Sequence, residues 1–275
     1  GIVLSGFYAT NYIDFETLSN TTIFQMPNGG TYGKQVIQLN GGCLILGDKD
    51  KEGFTYFDEA TKTKETISTD VTFFKATKLD KGCLLSGYSD NASNLVYYFK
   101  QEDKSLTQVK SNFDVQAFCQ TEVGCLIGGD TANKVLLFNE KTITAEELSI
   151  QHPNYPEVRV GDIYTIGNHV FVKTYRYSQS PSSENSLFYF VKSNNSFTHL
   201  FNRDNEIYST HAVGTRLFVD IASYDANHKL TGHQFGVLYT SGIMPQNQIP
   251  ESDVPYEFRD VDEGVLIIQG DIAYL

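Results

Sequence analysis

Hydrophobic and polar positions along this chain follow two short rhythms and no long one. Runs such as "KQVIQLN" (34–40), "FFKATKLD" (73–80), "VQAFCQTE" (115–122) and "VGDIYTIG" (160–167) alternate apolar with polar residues. That period of two belongs to a strand with one buried face. Each is followed by a nearly continuous apolar run: "GCLILGD" at 42–48, "GCLLSGY" at 82–88, "GCLIGGD" at 124–130 and "NHVFVKT" at 168–174. Such runs fit strands buried on both faces. No stretch holds a 3.6-residue apolar period for ten residues, so no helix is predicted.

The order of these runs repeats. Anchors near residues 1, 42, 82, 124, 168, 215 and 264 mark copies 40 to 49 residues apart. After each anchor comes a polar gap, then an aromatic run ("YIDFETLS", "FTYFDEAT", "LVYYFKQE", "VLLFNEKT", "LFYFVKSN", "FGVLYTSG"). A shorter run closes the unit ("TIFQMP", "KETIS", "LTQVK", "EELSI", "FTHLF", "NQIPE"). Four short strands, here A to D with the anchored run as B, recur between Gly, Asn, Asp and Ser turns. A unit this thin hides its apolar sides only against a neighbour, so the expected fold is all-β: a β-propeller of four-stranded antiparallel blades. Residues 1–275 are expected to form a single propeller domain. Six blades are favoured, with "YEFRDVDE" (256–263) completing the first unit; seven is the alternative. In this layout the leading glycine of the repeated phrase (Gly42, Gly82 and Gly124) ends the A–B hairpin, where positive φ suits glycine.

The A–B hairpin, the doublet Gly128–Gly129 in "GCLIGGD" and the aromatic strand C resemble kelch repeats. The strand-D tryptophan of that family is missing, since the chain has 19 Phe and 17 Tyr but no Trp. The resemblance implies layout and no partner.

Composition narrows the functions. Thirty-three acidic and 21 basic residues leave a net charge of −12, which repels phosphate backbones; no nucleic-acid partner is expected. No apolar run is long enough to span a bilayer. The chain begins at Gly1 inside a strand-like run, which suggests a removed leader or a trimmed end. Oligomeric state is open.

Motifs for chemistry are few. Cys43, Cys83 and Cys125 share one repeat position, too far apart between blades to bridge, and read as buried packing thiols; Cys119 and Cys125 would be slightly out of register. "DKDKEGFTYFDE" (48–59) approaches a calcium loop, but its twelfth position falls on strand C; Asp48, Asp50 and Glu52 remain as a looser calcium alternative to a solvated turn. No other cofactor is expected. Asn20, Asn91 and Asn194 head Asn-x-Ser/Thr triplets in predicted turns. They favour an extracellular or surface location over a cytoplasmic one.

B–C and D–A loops of a propeller emerge on one face. The enlarged B–C loops "TYRYSQSPSSENS" and "SYDANHKLTGHQ" bring Tyr175, Arg176, Tyr177, Tyr224, Asp225 and His228 there, with Tyr88 on another blade. Tyr with Arg is an interface-anchor combination. The favoured function is a non-enzymatic module binding a protein or a glycan. The alternative is a propeller enzyme, a glycan hydrolase or lyase, using Asp48, Asp130, Asp220 and His211 near the channel mouth.

Overall fold

The computed structural model describes residues 2–5, 9–13, 16–17, 19–25, 35–46, 54–166, 168–176, 185–200, 205–213, 216–225, 230–239, 242–245, 256–261, 264–269 and 272–274. Among these residues every regular element is a strand, and every sheet is antiparallel between sequence neighbours. The first sheet holds Ile2–Ser5 (β1), Ala9–Ile13 (β2) and Asn20–Gln25 (β3). The second runs Val36–Leu39 (β4), Gly42–Ile45 (β5), Phe54–Asp58 (β6) and Thr63–Ile67 (β7). Thr72–Lys78 (β8), Gly82–Ser89 (β9), Ala92–Lys100 (β10) and Ser105–Lys110 (β11) make the third. The fourth contains Ala117–Thr121 (β12), Gly124–Gly128 (β13), Lys134–Asn139 (β14) and Thr144–Ser149 (β15). In the fifth are Arg159–Ile166 (β16), His169–Tyr175 (β17), Asn185–Val191 (β18) and Ser196–His199 (β19). Asn205–Val213 (β20), Arg216–Tyr224 (β21), Leu230–Tyr239 (β22) and Gly242–Pro245 (β23) form the sixth, and Tyr256–Val261 (β24), Gly264–Gln269 (β25) and Ile272–Tyr274 (β26) the seventh.

Five four-stranded sheets in A–B–C–D order are the blades of a β-propeller, as the repeat predicts. Some boundaries differ. Strand C of the first copy lies at Ala9–Ile13, ahead of 12–19, because it pairs directly back on β1. The sixth sheet closes with β23 two residues after β22, with Tyr239 facing Gly242; "NQIPE" lies outside the described residues. Asn20 opens a strand instead of sitting in a turn. β24, expected to complete the first unit, pairs with β25 in a sheet of its own, so the described strands make seven sheets. Among the described residues no helix is long and apolar enough to cross a membrane.

The chain divides into two compact units, Gly1–Val115 with Asn139–Ala145, and Gln116–Phe138 with Glu146–Leu275. In the first unit Leu44, Phe54, Tyr56, Phe73, Cys83, Leu85 and Phe99 fill a core between the second and third sheets. In the second, Leu126, Val135, Val160, Val172, Phe188 and Phe190 do the same between the fourth and fifth. All four cysteines are buried free thiols. Burial pushes Cys43 up to about 11 and Cys83 further. Cys119 pairs across from Leu126, one place off Cys125.

The repeated glycine has a reason beyond hairpin φ. Gly41, before β5, takes a positive φ of +76° and Gly124 one of +144°, whereas Gly42 and Gly82 do not have positive φ. What excludes a side chain is strand C: a Cβ would lie 2.3 Å from Phe57 O at Gly42, 1.9 Å from Phe99 O at Gly82 and 2.4 Å from Phe138 O at Gly124. Backbone meets backbone at one position in three copies, which only a missing side chain permits.

A second device repeats where strand C ends. The first residue beyond it reaches back to the preceding sheet. Gln101 Nε2 donates to Tyr56 Oη at 3.2 Å. Glu140 accepts from Tyr98 Oη (2.9 Å), Lys81 N (2.9 Å) and Asp80 N (3.2 Å). Lys192 lies 3.2 Å from Glu122, and Glu59 accepts from Tyr12 Oη at 2.9 Å. Burial and the Glu140 contact push the Tyr98 phenol up. These latches close the A–B end of the sheets.

Gly82→Ala, which drives a methyl into the Phe99 carbonyl, should destabilise the fold by about 2–3 kcal/mol. Ala at the unobstructed Gly41 costs only what its positive φ imposes, about 1 kcal/mol. Urea unfolding of the two variants measures the difference.

Candidate functional site

At the end of the fourth and fifth sheets opposite the Glu122–Lys192 latch, an asparagine organises the loops. Asn133 takes positive φ (56°) between β13 and β14. Its backbone donates to Val158 O (2.8 Å) and accepts from Ile150 N (3.0 Å). Its side-chain amide donates to Pro156 O (2.7 Å) and accepts from Val158 N (2.9 Å). A B–C turn thereby clamps the D–A segment 150–158, putting both loop types on one side, as the sequence layout implies. Asn94 repeats part of this, with φ of 60° and an acceptor bond from Phe113 N at 2.9 Å.

The clamped segment carries His152 and Tyr155, and the end of β17 brings up Arg176. The His152 ring stacks on Tyr155 at 4.4 Å, and the Arg176 guanidinium lies 5.0 Å from the Tyr155 centroid. Imidazole, phenol and guanidinium form one stack, with Arg176 exposed at its end. Planar contacts of this kind fix Arg in one orientation and lower the entropy it loses on binding. Asn154 N donates to His152 Nδ1 at 3.1 Å, so the proton of the neutral ring sits on Nε2, which is 3.0 Å from Ser186 Oγ.

Behind the stack the sheet face is polar where it should be apolar. Thr174 and Ser186 are cross-strand partners, with their side chains on one face. Thr174 Oγ1 and His199 Nε2 are buried without a hydrogen-bond partner. His199 packs edge-on to His152 at 4.5 Å and against Phe188 at 5.0 Å. Burial holds its imidazole below the ordinary histidine value.

A register slip shapes the same end of three blades. One extra residue bulges from strand A between Phe73 and Lys75, between Val160 and Asp162, and between Ile207 and Ser209. The bulged residues are Phe74, Gly161 and Tyr208. Two places before each bulge the strand-B partners are Tyr88, Tyr175 and Ala222. Tyr88 and Tyr175 thus share one repeat position, and a Cβ at Gly161 would sit 3.2 Å from the Tyr175 ring. Bulges re-aim side chains at such rims.

The other sequence candidates divide. Tyr175 is half-buried and Arg176 and Asp225 are exposed. Tyr224 ends β21. Tyr177 and His228 lie outside the described residues, as do Asp48, Asp50 and Glu52. Among the described residues no group of three or more His, Cys, Asp or Glu could hold a metal ion. Asp220 is no mouth residue: it is fully buried, and its Oδ1 meets His233 Nδ1 at 2.9 Å. His211 stacks on Phe258 at 6.2 Å, and Asp130 is half-buried with Oδ1 unpartnered. Sequence reasoning missed Tyr155, because it weighed the enlargement of B–C loops alone and 150–158 belongs to a D–A connection. The doubled proline of "HPNYPE" was the available signal.

No family model matches the chain, and no curated protein matches it. Solved structures do: 209 chains match, two of them as follows. One is the extracellular domain of a protein described as a one-component system from B. thetaiotaomicron, at 11% identity and TM-score 0.52, covering 97% of this chain. The other is the tricorn protease, at 8% identity and TM-score 0.53, covering 94%. The chain spans about a third of the length of these structures, 35% and 30%. Likeness at this level shows the fold.

His199 generates a pH prediction. Its folded pKa is depressed, so below about pH 6.5 the unfolded chain binds the proton more readily. Its contribution is complete above that range and is lost as pH falls through it. The denaturant midpoint should drop between about pH 7.5 and 5.5, and drop less in His199→Phe.

Proposed function

We propose that this chain is a non-enzymatic recognition module that takes a protein or glycan partner at the loop end of its fifth sheet. The observation that carries the reading is the His152–Tyr155–Arg176 stack. It presents an exposed guanidinium in a fixed orientation on a segment clamped by four Asn133 bonds. Arg and Tyr held in advance, at the centre of a contact, carry most of the binding energy where partners meet. The partly buried Tyr175 beside it supplies apolar area. An extracellular or surface setting suits this reading; of the two similar structures, one is an extracellular domain.

The enzymatic alternative asks for carboxylates and a histidine around one accessible point. Asp220 is spent on His233 inside the sixth sheet and His211 on Phe258, which favours binding.

Arrays of glycans and of displayed peptides, probed with the whole chain, supply a binder. Arg176→Ala and Tyr155→Ala should then weaken its capture about tenfold or more while the fold is retained. Unchanged capture by both folded variants, or turnover of the captured glycan, contradicts the proposal.

A further inference from the structure

The three Asn-x-Ser/Thr triplets differ in what lies beside them. Asn20 opens β3, and the hydroxyl of its Thr22 donates to Asn11 Oδ1 at 3.0 Å. Asn194, after β18, accepts from its own Ser196 hydroxyl at 2.8 Å. Asn91 stands exposed at the tip of the β9–β10 hairpin, and there the register matters. Ser89 pairs with Ala92 and Gly87 with Leu95, so Ser93 and Asn94 share the place opposite Tyr88. Asn94, at φ 60°, makes the slip. Tyr88 therefore lies three residues before Asn91 and across from Ser93, the hydroxyl residue of the triplet.

Beside Tyr88 the strand-A bulge turns Phe74 outward. The two rings are 6.2 Å apart and tilted by 33°, with Phe74 47% and Tyr88 38% exposed. Among the described residues of the first unit they are the two exposed large hydrophobic side chains, and they are adjacent. Scattered single apolar residues need no explanation, but a paired shelf at a bulge does.

We propose that Asn91 carries an N-linked glycan whose first N-acetylglucosamine lies over Tyr88, with Phe74 extending the shelf. The occupant is argued from the triplet itself: covalent attachment at Asn91 delivers a sugar ring to this hairpin. In the transfer, Asn91 Nδ2 attacks C1 of a lipid-diphosphate-linked oligosaccharide. The N–C1 bond forms, the C1–O bond to the diphosphate breaks, and one amide proton is lost. The C–H face of the sugar then covers ring surface that is otherwise in water. The proposal is independent of the stack at Tyr155, and it takes Tyr88 out of the ligand-facing set.

Peptide mapping of the protein from its native cells should find Asn91 glycosylated. The glycosylated chain is then compared in three states: intact, trimmed to one N-acetylglucosamine, and fully stripped. Trimming should leave Tm unchanged, and stripping should lower it by about 2–4 °C. In Tyr88→Ser, an exposed position that does not endanger folding, stripping should leave Tm where it was. An unmodified Asn91 in the native protein overturns the proposal. So does a stripping effect equally large in Tyr88→Ser, or one already complete after trimming.

Discussion

Three blades rest on one close approach, the backbone of strand C pressed against a glycine at the head of strand B. With Phe57, Phe99 and Phe138 carbonyls less than a side chain's width from Gly42, Gly82 and Gly124, strand B is pinned in register. Its apolar run is then committed to burial on both faces: Cys43 to Leu46, Cys83 to Leu85 and Cys125 to Ile127 are almost entirely hidden. A one-residue slip would bring a carbonyl against a full side chain and turn the strand's faces over. The burial supplies the driving force, and the glycine decides which register receives it.

The two ends of a blade are treated differently as a result. At the A–B end, the residue after strand C ties a sheet to the one before through Glu59, Gln101 or Lys192, and Glu140 makes the same kind of contact within the first unit. Glu140 satisfies two backbone donors and a buried phenol with a single carboxylate. At the opposite end, strand A bulges, strand B runs out in tyrosines, and orphan polar atoms sit under the surface at Thr174 and His199. Leaving such groups unpaired costs about 1–3 kcal/mol each. Unpaired polar atoms at this end fit the recognition role proposed for it, since rule-breaking positions collect at functional sites.

Much of this was legible in the sequence. The fourfold strand order was readable because each strand has its own apolar signature, alternating in A, continuous in B, aromatic in C. Tyr88 and Tyr175 fell on a single repeat position, though loop length rather than register had pointed to Tyr175. Three things were hidden. The glycine's role depends on a neighbour's carbonyl, which no local pattern encodes. The Tyr155 stack joins residues 152, 155 and 176 through a clamp from Asn133, a contact across strands. Asp220 read as an exposed acid because its burying partner, His233, lies on the next strand and faces the same side.

The central claim is that strand B, where the glycine contact seals it, is the most stable part of its blade. Native-state hydrogen exchange resolved by residue measures this directly. The account predicts slowest exchange at Cys83–Leu85 and Cys125–Ile127, with Thr63–Ile67 and Ser105–Lys110, the exposed D strands, exchanging orders of magnitude sooner. Equal protection of B and D strands within one sheet would contradict it.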